Sequence, residues 1–296
     1  MIDLNGRVAV VTGAGGGLGR AYARLLAQRG ARVVVNDLGS SAESVAREII
    51  EAGGLARAAL CSVTDAAAVQ DMVQQTLRAW DRVDILVNNA GILRDKSFAR
   101  MSLDDFRLVI DVHLMGAVNC TKAVWEVMRE QKYGRIVMTT SSSGLYGNFG
   151  QSNYSAAKLA LVGLMQTLAI EGAKYGIRVN CIAPTAATQM TQGILPEEQL
   201  KLIRPELVAP GILALVAENA PTRTILCAGA GGFEVANITL TKGIHVDGDP
   251  PSAEELVARW AEVVDRQGEM TPAYGLAQSQ LELKKAGYLP PETKGA

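Results

Sequence analysis

The stretch "RVAVVTGAGGGLG", residues 7–19, decides the fold. Its first six residues are mostly apolar and β-branched and predict a strand, and a helical pattern follows from about Gly17 to Arg29. Glycines between a strand and a helix allow backbone amides to approach an anion at the positive end of the helix dipole. The spacing of Gly13, Gly17 and Gly19 differs from G-x-G-x-x-G, so this stretch by itself leaves a simple tight turn open.

Strands and helices continue to alternate along the chain. The sequence predicts further strands at 31–36, 56–60, 84–89, 134–140 and 177–183, and helices at 42–52, after a capping Asp65, at 103–129 and at 154–174. Continuous Val and Ile runs separated by helices indicate a parallel sheet covered on both faces. The segment 184–204 is expected to be irregular because three prolines interrupt it.

The composition is that of a globular α/β protein. The chain has 296 residues, of which 48% are hydrophobic and 20% charged, and its formal charge of −1 argues against a general nucleic-acid binder. We expect one domain over 1–249 and a C-terminal helical extension over 250–296 that packs on it. No signal peptide or membrane-spanning apolar run is apparent, which predicts a soluble, cytoplasmic protein.

The spacing of the cysteines and histidines along the chain does not match that of metal ligands. The four cysteines form no CxxC pair and lie in apolar segments, so buried free thiols in a reducing compartment are expected. His113 and His245 have no partner at metal-ligand spacing.

Two further strand ends carry residues suited to a dinucleotide. The second strand ends in Asn36-Asp37, and a carboxylate there can accept hydrogen bonds from both hydroxyls of an adenosine ribose while it repels a 2′-phosphate. This favours NAD over NADP. The fourth strand ends in "NNAG" (88–91), and parallel strands bind ligands beyond their carboxyl ends.

A tyrosine and a lysine lie four residues apart in "NYSAAKLALVGLMQTLAI", residues 153–170. Tyr154 and Lys158 therefore share one helix face. A positive charge about 4 Å from a phenol is worth roughly 4 kcal/mol at an effective dielectric near 20, which is enough to lower the tyrosine pKa by up to about three units. The alternative is a lysine that reaches out to water while the tyrosine packs. Ser141 follows the fifth strand and is expected to orient a substrate oxygen, with Ser142 and Ser143 as helix caps.

"TGAGGGLG", "NNAG", Ser141 and "YSAAK", in this order and spacing, resemble the short-chain dehydrogenase/reductases over about residues 4–245. The resemblance implies a Rossmann-type doubly wound sheet of seven strands in the order 3-2-1-4-5-6-7. It also implies Tyr154 as acid/base, Lys158 as a ligand of the nicotinamide ribose that lowers the tyrosine pKa, and Ser141 as the substrate-orienting residue. The cofactor would be held by the following residues: Gly13, Gly17, Leu18 and Gly19 at the pyrophosphate, Asp37 at the adenosine ribose, Ser62 and Val63 at the adenine, and Asn89, Tyr154 and Lys158 at the nicotinamide ribose.

His113 departs from the family pattern, which places an asparagine there whose main-chain carbonyl holds a relay water. A histidine carbonyl leaves that relay possible. Its imidazole would either titrate near neutrality and change the pH profile, or maintain the local bend of the helix.

Further segments resemble one branch of this family and indicate a class of substrate. "VVVNDLG", "NNAGILRDKSFARM", "VHLMGA", "YGNFGQSNYSAAK" and "GGFEVA" are similar to the (3R)-hydroxyacyl-CoA dehydrogenase branch found in multifunctional enzyme type 2, which also has the histidine. This implies oxidation of (3R)-3-hydroxyacyl-CoA to 3-oxoacyl-CoA with NAD in fatty acid β-oxidation. "PT" at 184–185 replaces the usual "PG", so the loop on the nicotinamide side is expected to differ in detail.

Three alternatives remain open at this point. A steroid or other secondary-alcohol dehydrogenase would share every catalytic residue, a 3-oxoacyl-carrier-protein reductase is disfavoured by Asp37, and a nucleotide sensor without turnover is disfavoured by the complete Ser141, Tyr154 and Lys158 set. The 154–174 helix carries apolar residues away from its reactive face, which need cover on that side. These residues are Leu161, Val162, Leu164, Met165 and Leu168. The resemblance implies that a subunit interface supplies this cover, and hence a homodimer or homotetramer; the alternative is burial against the C-terminal tail.

Overall fold

The described residues form a twisted, mostly parallel sheet with helices on both faces. A computed structural model describes residues 2–187 and 196–288. Its strands are β1 Val8–Thr12, β2 Arg32–Asp37, β3 Leu55–Leu60, β4 Ile85–Asn88, β5 Gly134–Thr139, β6 Ile177–Thr185, β7 Ile225–Gly229 and β8 Gly232–Ala236. They lie in the order β3-β2-β1-β4-β5-β6-β7-β8.

The helices follow the predicted alternation. They are α1 Gly17–Gln28, α2 Ser41–Glu51, α3 Ala66–Trp80, α4 Leu103–Ile110, α5 Gly116–Gln131, α6 Ser142–Tyr146, α7 Ser152–Gly172, α8 Glu197–Leu202, α9 Ala209–Val216, α10 Ala253–Ala258, α11 Trp260–Val263 and α12 Leu276–Lys285. Three 3-10 turns, Phe98–Arg100, Ala173–Tyr175 and Pro205–Leu207, and one π-helical turn, Asp111–Met115, complete the regular structure of the described residues.

Strand side chains alternate between two apolar layers. Ala9 and Val11 pack with α1, α2 and α9, whereas Val10 faces α3, α5 and α7 on the other side of the sheet. The central strands β1 and β4 are buried along their whole length because both faces of the sheet are covered there, which is why they appear in the sequence as continuous apolar runs, whereas β3 and β8 are largely exposed. The doubly wound fold is therefore confirmed.

The sheet differs from the prediction by one strand. β8 pairs antiparallel with β7, with Ala228 opposite Phe233, so the described sheet has eight strands instead of seven. The connection is a two-residue turn in which Ala230 and Gly231 both have positive φ, at 52° and 80°. That geometry suits a tight hairpin, and such a turn needs no crossover helix.

Local capping at α3 agrees with the sequence. The Asp65 carboxylate accepts hydrogen bonds from the amides of Ala67 and Ala68, both at 3.0 Å.

The predicted 103–129 helix, in contrast, is interrupted by the π-helical turn between α4 and α5. Part of the predicted irregular segment, 188–195, lies outside the described residues.

Helix α7 buries apolar residues that the sequence analysis assigned to a subunit interface. Leu161, Val162 and Met165 are buried in this chain's own core, and Leu164 and Leu168 pack partly against it. The assignment of Leu161, Val162 and Met165 to a partner was wrong, because this chain's own sheet and helices bury them; for the half-buried Leu164 and Leu168 it stays a prediction.

Among the described residues, the same helix is long and apolar enough to be compared with a membrane span. By length and composition Ser152–Tyr175 is apolar enough to cross a bilayer, contrary to the expectation that no run in the chain would be. Its packing on the sheet and the buried Lys158 within it make it a core helix of this fold.

All four cysteines are free; Cys120 and Cys181 are buried, and Cys61 and Cys227 are half-buried.

The chain divides into two compact units between Ala236 and Asn237. The first contains the sheet and α1–α9. In the second, Leu240 bridges to Met270 in antiparallel fashion, and the Thr241 hydroxyl donates to the Val263 carbonyl at 2.8 Å. The predicted packing of residues 250–296 onto the main domain stays a prediction.

Candidate active site

The glycine turn after β1 is shaped by close backbone contacts. Gly13 and Gly17 have positive φ, at 62° and 50°. A Cβ at Gly13 would lie 2.8 Å from the Ala90 Cα, and one at Gly19 would lie 2.2 Å from the Gly13 carbonyl oxygen. Only glycine fits at these positions, so the turn is pressed against the end of β4.

The N-terminus of α1 is left without a side-chain cap. Its N-cap is Gly16, no acidic residue occupies the first turn, and a Cβ added at Gly16 would meet no atom within 4 Å. Leu18 packs partly against the core and anchors this turn. An open helix N-terminus of this kind suits a phosphate, so the residues present fit a dinucleotide pyrophosphate.

Asp37 is held beside the glycine turn. Its Oδ2 accepts from the Gly15 amide at 2.9 Å and its Oδ1 from the Leu38 amide at 2.7 Å. Each carboxylate oxygen keeps a further lone pair. The carboxylate can therefore accept hydrogen bonds from two neighbouring hydroxyls, as the sequence predicts for a ribose.

The segment after β3 forms a side wall. Val63 is buried, and its carbonyl oxygen accepts from Asn119 Nδ2 at 2.9 Å. The Ser62 hydroxyl bonds with that of Thr64 at 2.8 Å. A Cβ at Gly116 would lie 2.5 Å from Val63 Cγ2, so that glycine lets the wall pack on α5.

Asn89 ties the end of β4 to the glycine turn. Its side-chain amide donates to the carbonyl oxygens of Thr12 at 2.9 Å and Gly13 at 3.1 Å. The Thr12 hydroxyl in turn accepts from the amides of Asn89 at 2.9 Å and Ala90 at 3.0 Å. The side chain of Asn89 is thus engaged within the protein, and the implied contact of this residue with the nicotinamide ribose stays a prediction.

Tyr154 and Lys158 lie on one face of α7. The Lys158 Nζ is 5.4 Å from the centre of the Tyr154 ring. The lysine is only 3% exposed, so the alternative in which it reaches out to water is excluded. Its ammonium donates to the Thr139 carbonyl oxygen at 2.6 Å.

Ser141 has two interactions. Its hydroxyl accepts from the Ser143 amide at 3.2 Å and so caps α6, a role that the sequence analysis gave to Ser142 and Ser143. It also makes a side-chain hydrogen bond with Tyr154. Because α6 begins directly after β5, the strand end brings this serine to the phenol.

The ionisation of the pair differs from the expectation. Burial raises the pKa of Tyr154, and the hydrogen bond with Ser141 only partly opposes this. Burial also lowers the pKa of Lys158 to about 7. The expected lowering of the tyrosine pKa by Lys158 is therefore not found in this structure, because desolvation of the phenolate outweighs the other influences.

His113 lies in the π-helical turn and is 3% exposed. Its Nε2 is 3.0 Å from the amide nitrogen and 2.8 Å from the carbonyl oxygen of Ile92. Burial, with a smaller effect of Lys158, lowers the pKa of His113 to about 3. A pKa this low argues against titration of the imidazole near neutrality, and the expected role of His113 in maintaining a local bend of the helix stays a prediction.

The strand order brings these groups to one edge of the sheet. β2, β1, β4 and β5 are neighbours, so the residues after their carboxyl ends meet there. A packing gap too small to hold a water molecule is lined in part by Thr12, Val63, His113 and Lys158, so these side chains lie close together beneath this edge. A larger cavity of about 650 Å³, beside Arg24 and Gly53, contains none of the predicted site residues.

Sequence reasoning missed three threonines. Thr12 holds the β4 end, and Thr139 and Thr140 both contact Lys158. Each of these threonines lies at the end of an apolar strand, directly before a predicted motif. This position in the sequence is the pattern by which they could have been found.

The pattern of the short chain dehydrogenase family matches residues 7–199. A protein of Mycobacterium tuberculosis named as a short-chain type dehydrogenase/reductase is 45% identical over 287 residues, which cover 93% of this chain and 100% of that protein.

The peroxisomal multifunctional enzyme type 2 of Drosophila melanogaster is 45% identical over 302 residues, or 96% of this chain. Its full-length structure superposes with a TM-score of 0.82 and 40% identity. The chain spans 50% of the length of that relative.

A third similar structure is a 7α-hydroxysteroid dehydrogenase complexed with NADH and 7-oxo glycochenodeoxycholic acid. It has a TM-score of 0.72 and 32% identity, with 78% of this chain and 95% of that chain covered.

Proposed function

The chain belongs to the short-chain dehydrogenase family, and from this premise we propose that it oxidises (3R)-3-hydroxyacyl-CoA to 3-oxoacyl-CoA with NAD. As a member of this family it is an oxidoreductase that uses a nicotinamide dinucleotide. The observation that carries the proposal is the juxtaposition of Ser141, Tyr154 and buried Lys158 at the strand edge that also holds the glycine turn.

The glycine turn and Asp37 would hold the dinucleotide. Gly13, Gly17, Leu18 and Gly19 would receive the pyrophosphate at the open N-terminus of α1. The Asp37 carboxylate supports NAD over NADP, since it would repel a 2′-phosphate. Ser62 and Val63 would border the adenine. NAD, when bound, takes up the hydride that leaves C3 of the substrate.

Tyr154 handles the proton of the alcohol. In the oxidation direction its phenolate accepts the hydroxyl proton of the substrate, while Ser141 hydrogen-bonds the same oxygen. A charged Lys158 ammonium would favour the phenolate, although in the free protein desolvation outweighs this effect and the pKa of Tyr154 stays raised. With a pKa of about 7, Lys158 is charged below neutrality and loses that charge as the pH rises.

Exposed aromatic side chains near these groups support an apolar substrate. Two segments, 94–101 and 146–153, are joined by a hydrogen bond from the Lys96 amide to the Gly150 carbonyl oxygen at 2.9 Å, and the second leads directly into α7. Three aromatic side chains on them are strongly exposed: Phe98 (77%), Tyr146 (73%) and Phe149 (91%). Exposed aromatic side chains on these segments, of which the second leads into α7, would suit the acyl part of a thioester better than a small polar alcohol.

A steroid alcohol is the second candidate substrate. The same aromatic surface suits a bulky ring system, and the similar hydroxysteroid dehydrogenase supports this alternative. Reduction of 3-oxoacyl-carrier protein is less well supported, since Asp37 disfavours NADPH.

The deciding experiment measures NADH formation by the purified protein. We expect turnover with (3R)-hydroxyacyl-CoA of several chain lengths and much less with the (3S) isomers. Turnover of free steroids without thioester activity would establish the second candidate. NAD binding without turnover of any of these alcohols would contradict the proposal and favour a nucleotide sensor.

We further propose a cytoplasmic homodimer or homotetramer. Helix α7 exposes Leu159 (46%) and Ile170 (51%), which is apolar area that a second copy would cover. Light scattering after gel filtration measures the assembly, and a monomer at micromolar concentration would contradict it.

A further inference from the structure

The imidazole of His113 contacts both sides of the site. Its ring meets the Tyr154 ring edge-to-face, with centroids 5.2 Å apart and planes at 90°. Its Nε2 lies within hydrogen-bond distance of both main-chain polar atoms of Ile92. Ile92 follows directly after the Asn-Asn-Ala-Gly end of β4, which is tied to the glycine turn. One buried ring therefore joins the cofactor-side loop to the phenol.

The loop is built around this ring. A Cβ at Gly91 would lie 2.2 Å from His113 Cε1 and 2.9 Å from its Nδ1. The ring thus fills the space where a side chain at position 91 would stand. Gly91 has no positive φ, so its need for glycine comes from this contact and not from its backbone conformation.

The ring stays uncharged at neutral pH. The groups that face it are Ile92 and Gly91 from the loop and Tyr154 and Lys158 from α7. Burial and the nearby lysine keep the pKa of His113 at about 3. Exchange of protons with the substrate is therefore not its role.

We propose that His113 is a positioning residue: its neutral ring fixes the distance between the Gly91–Ile92 loop and the Tyr154 phenol. The loop on the cofactor side and the phenol that transfers the proton thereby keep a constant relative position. This rests on the proposed dehydrogenase function. The two contacts are separable, because Nε2 serves the loop and the ring edge serves the tyrosine.

Two substitutions separate them. His113→Gln keeps a polar group that reaches Ile92 but removes the ring, and we expect kcat to fall roughly three- to tenfold, with a smaller change in the KM for NAD. His113→Phe keeps the ring but removes the hydrogen bond, and we expect the KM for NAD to rise roughly tenfold, with a smaller change in kcat. Equal effects on both constants in both variants, as general destabilisation would give, would overturn the proposal. So would wild-type values in both.

The pH profile of kcat distinguishes positioning from proton exchange, because loss of a residue that exchanges protons with the substrate would change the profile. We expect the apparent pKa values of kcat in His113→Gln to match those of the wild type, since the ring does not titrate in the working range. The disappearance of an ionisation in this variant would assign proton transfer to His113 and refute positioning. His245→Gln is the matched control, because the other histidine is exposed and lies in the second unit.

A double-mutant cycle tests the Gly91 contact without any turnover. We expect Gly91→Ala to lower Tm and weaken NAD binding, and His113→Asn in the same chain to restore part of both losses, since the smaller side chain makes room for the methyl group. Strict additivity of the two substitutions would overturn the contact. Because this cycle needs no substrate, it still tests the ring when the proposed substrate fails.

Discussion

Lys158 is held to the end of β5 through both its side chain and its backbone. Its ammonium donates to the Thr139 carbonyl oxygen at 2.6 Å, and its own carbonyl oxygen accepts from the Thr140 hydroxyl at 2.6 Å. A Cβ at Gly144 would lie 2.8 Å from Lys158 Cβ, so α6 also packs directly on this residue. A long, flexible side chain thereby acquires one fixed position beside the phenol.

The Thr140 contact predicts a measurable loss. Thr140→Val removes the hydroxyl but keeps the shape, and we expect the free energy of unfolding to fall by about 1–2 kcal/mol. We also expect kcat to fall, because the lysine loses a restraint. Thr140→Ser retains the donor and should stay close to the wild type. Urea unfolding and steady-state kinetics check both, and a valine variant with wild-type stability would contradict the role of this hydrogen bond.

Tyr154→Phe should abolish turnover, with kcat reduced by roughly 10²–10⁴-fold or more, because no other buried acid reaches the substrate oxygen in the proposed arrangement. NAD affinity should change by less than a few fold, as measured by calorimetric titration. Tyr288→Phe, at an exposed tyrosine of the second unit, is the control. Retained rates in Tyr154→Phe would remove the phenol from the mechanism.

The ionisation of Tyr154 should depend on the bound cofactor. In the free protein burial raises its pKa, so tyrosinate absorbance assigned to this residue should appear only above the ordinary value of about 10. We expect added NAD to shift that titration to lower pH, since a positive nicotinamide ring favours the phenolate. The difference between wild type and Tyr154→Phe isolates the signal. An unshifted titration would mean that cofactor charge does not activate the phenol.

Cofactor choice should depend on the Asp37 carboxylate. Asp37→Ala removes the acceptor for ribose hydroxyls and the repulsion of a 2′-phosphate, so we expect the preference for NAD over NADP to fall by roughly tenfold or more. Dissociation constants for both dinucleotides measure this ratio. Asp104→Asn, at a strongly exposed carboxylate in α4, controls for the loss of a negative charge. An unchanged ratio would place the discrimination elsewhere.

Acid stability should depend on His113. Its pKa is about 3 in the folded chain, against about 6.5 for an ordinary histidine. Between these values the unfolded chain binds a proton that the folded chain does not, so stability falls as the pH decreases through this window.

We therefore expect the wild type to lose on the order of 3 kcal/mol more stability than His113→Gln between about pH 7 and pH 4. Urea unfolding at several pH values measures the difference, and His245→Gln should follow the wild type. Parallel curves for wild type and His113→Gln would show that the histidine is not held neutral.

The sequence by itself determined the features that depend on neighbouring residues along the chain. The β1 strand, the glycine turn and α1, the Asp65 cap and the placement of Tyr154 and Lys158 on one helix face all follow from local propensity and from helical or strand periodicity. The parallel sheet follows from the alternation of strands and helices, since parallel strands need crossovers.

Only the tertiary structure decided which groups are buried and what they contact. The π-helical turn at Asp111–Met115 coincides with the packing of His113 between Ile92 and Tyr154, two contacts from distant parts of the chain. Likewise, the raised pKa of Tyr154 comes from desolvation by the surrounding fold, which the i, i+4 spacing to Lys158 does not reveal. Periodicity reports which face a residue occupies, whereas the free energy of burying a charge depends on every element packed against it.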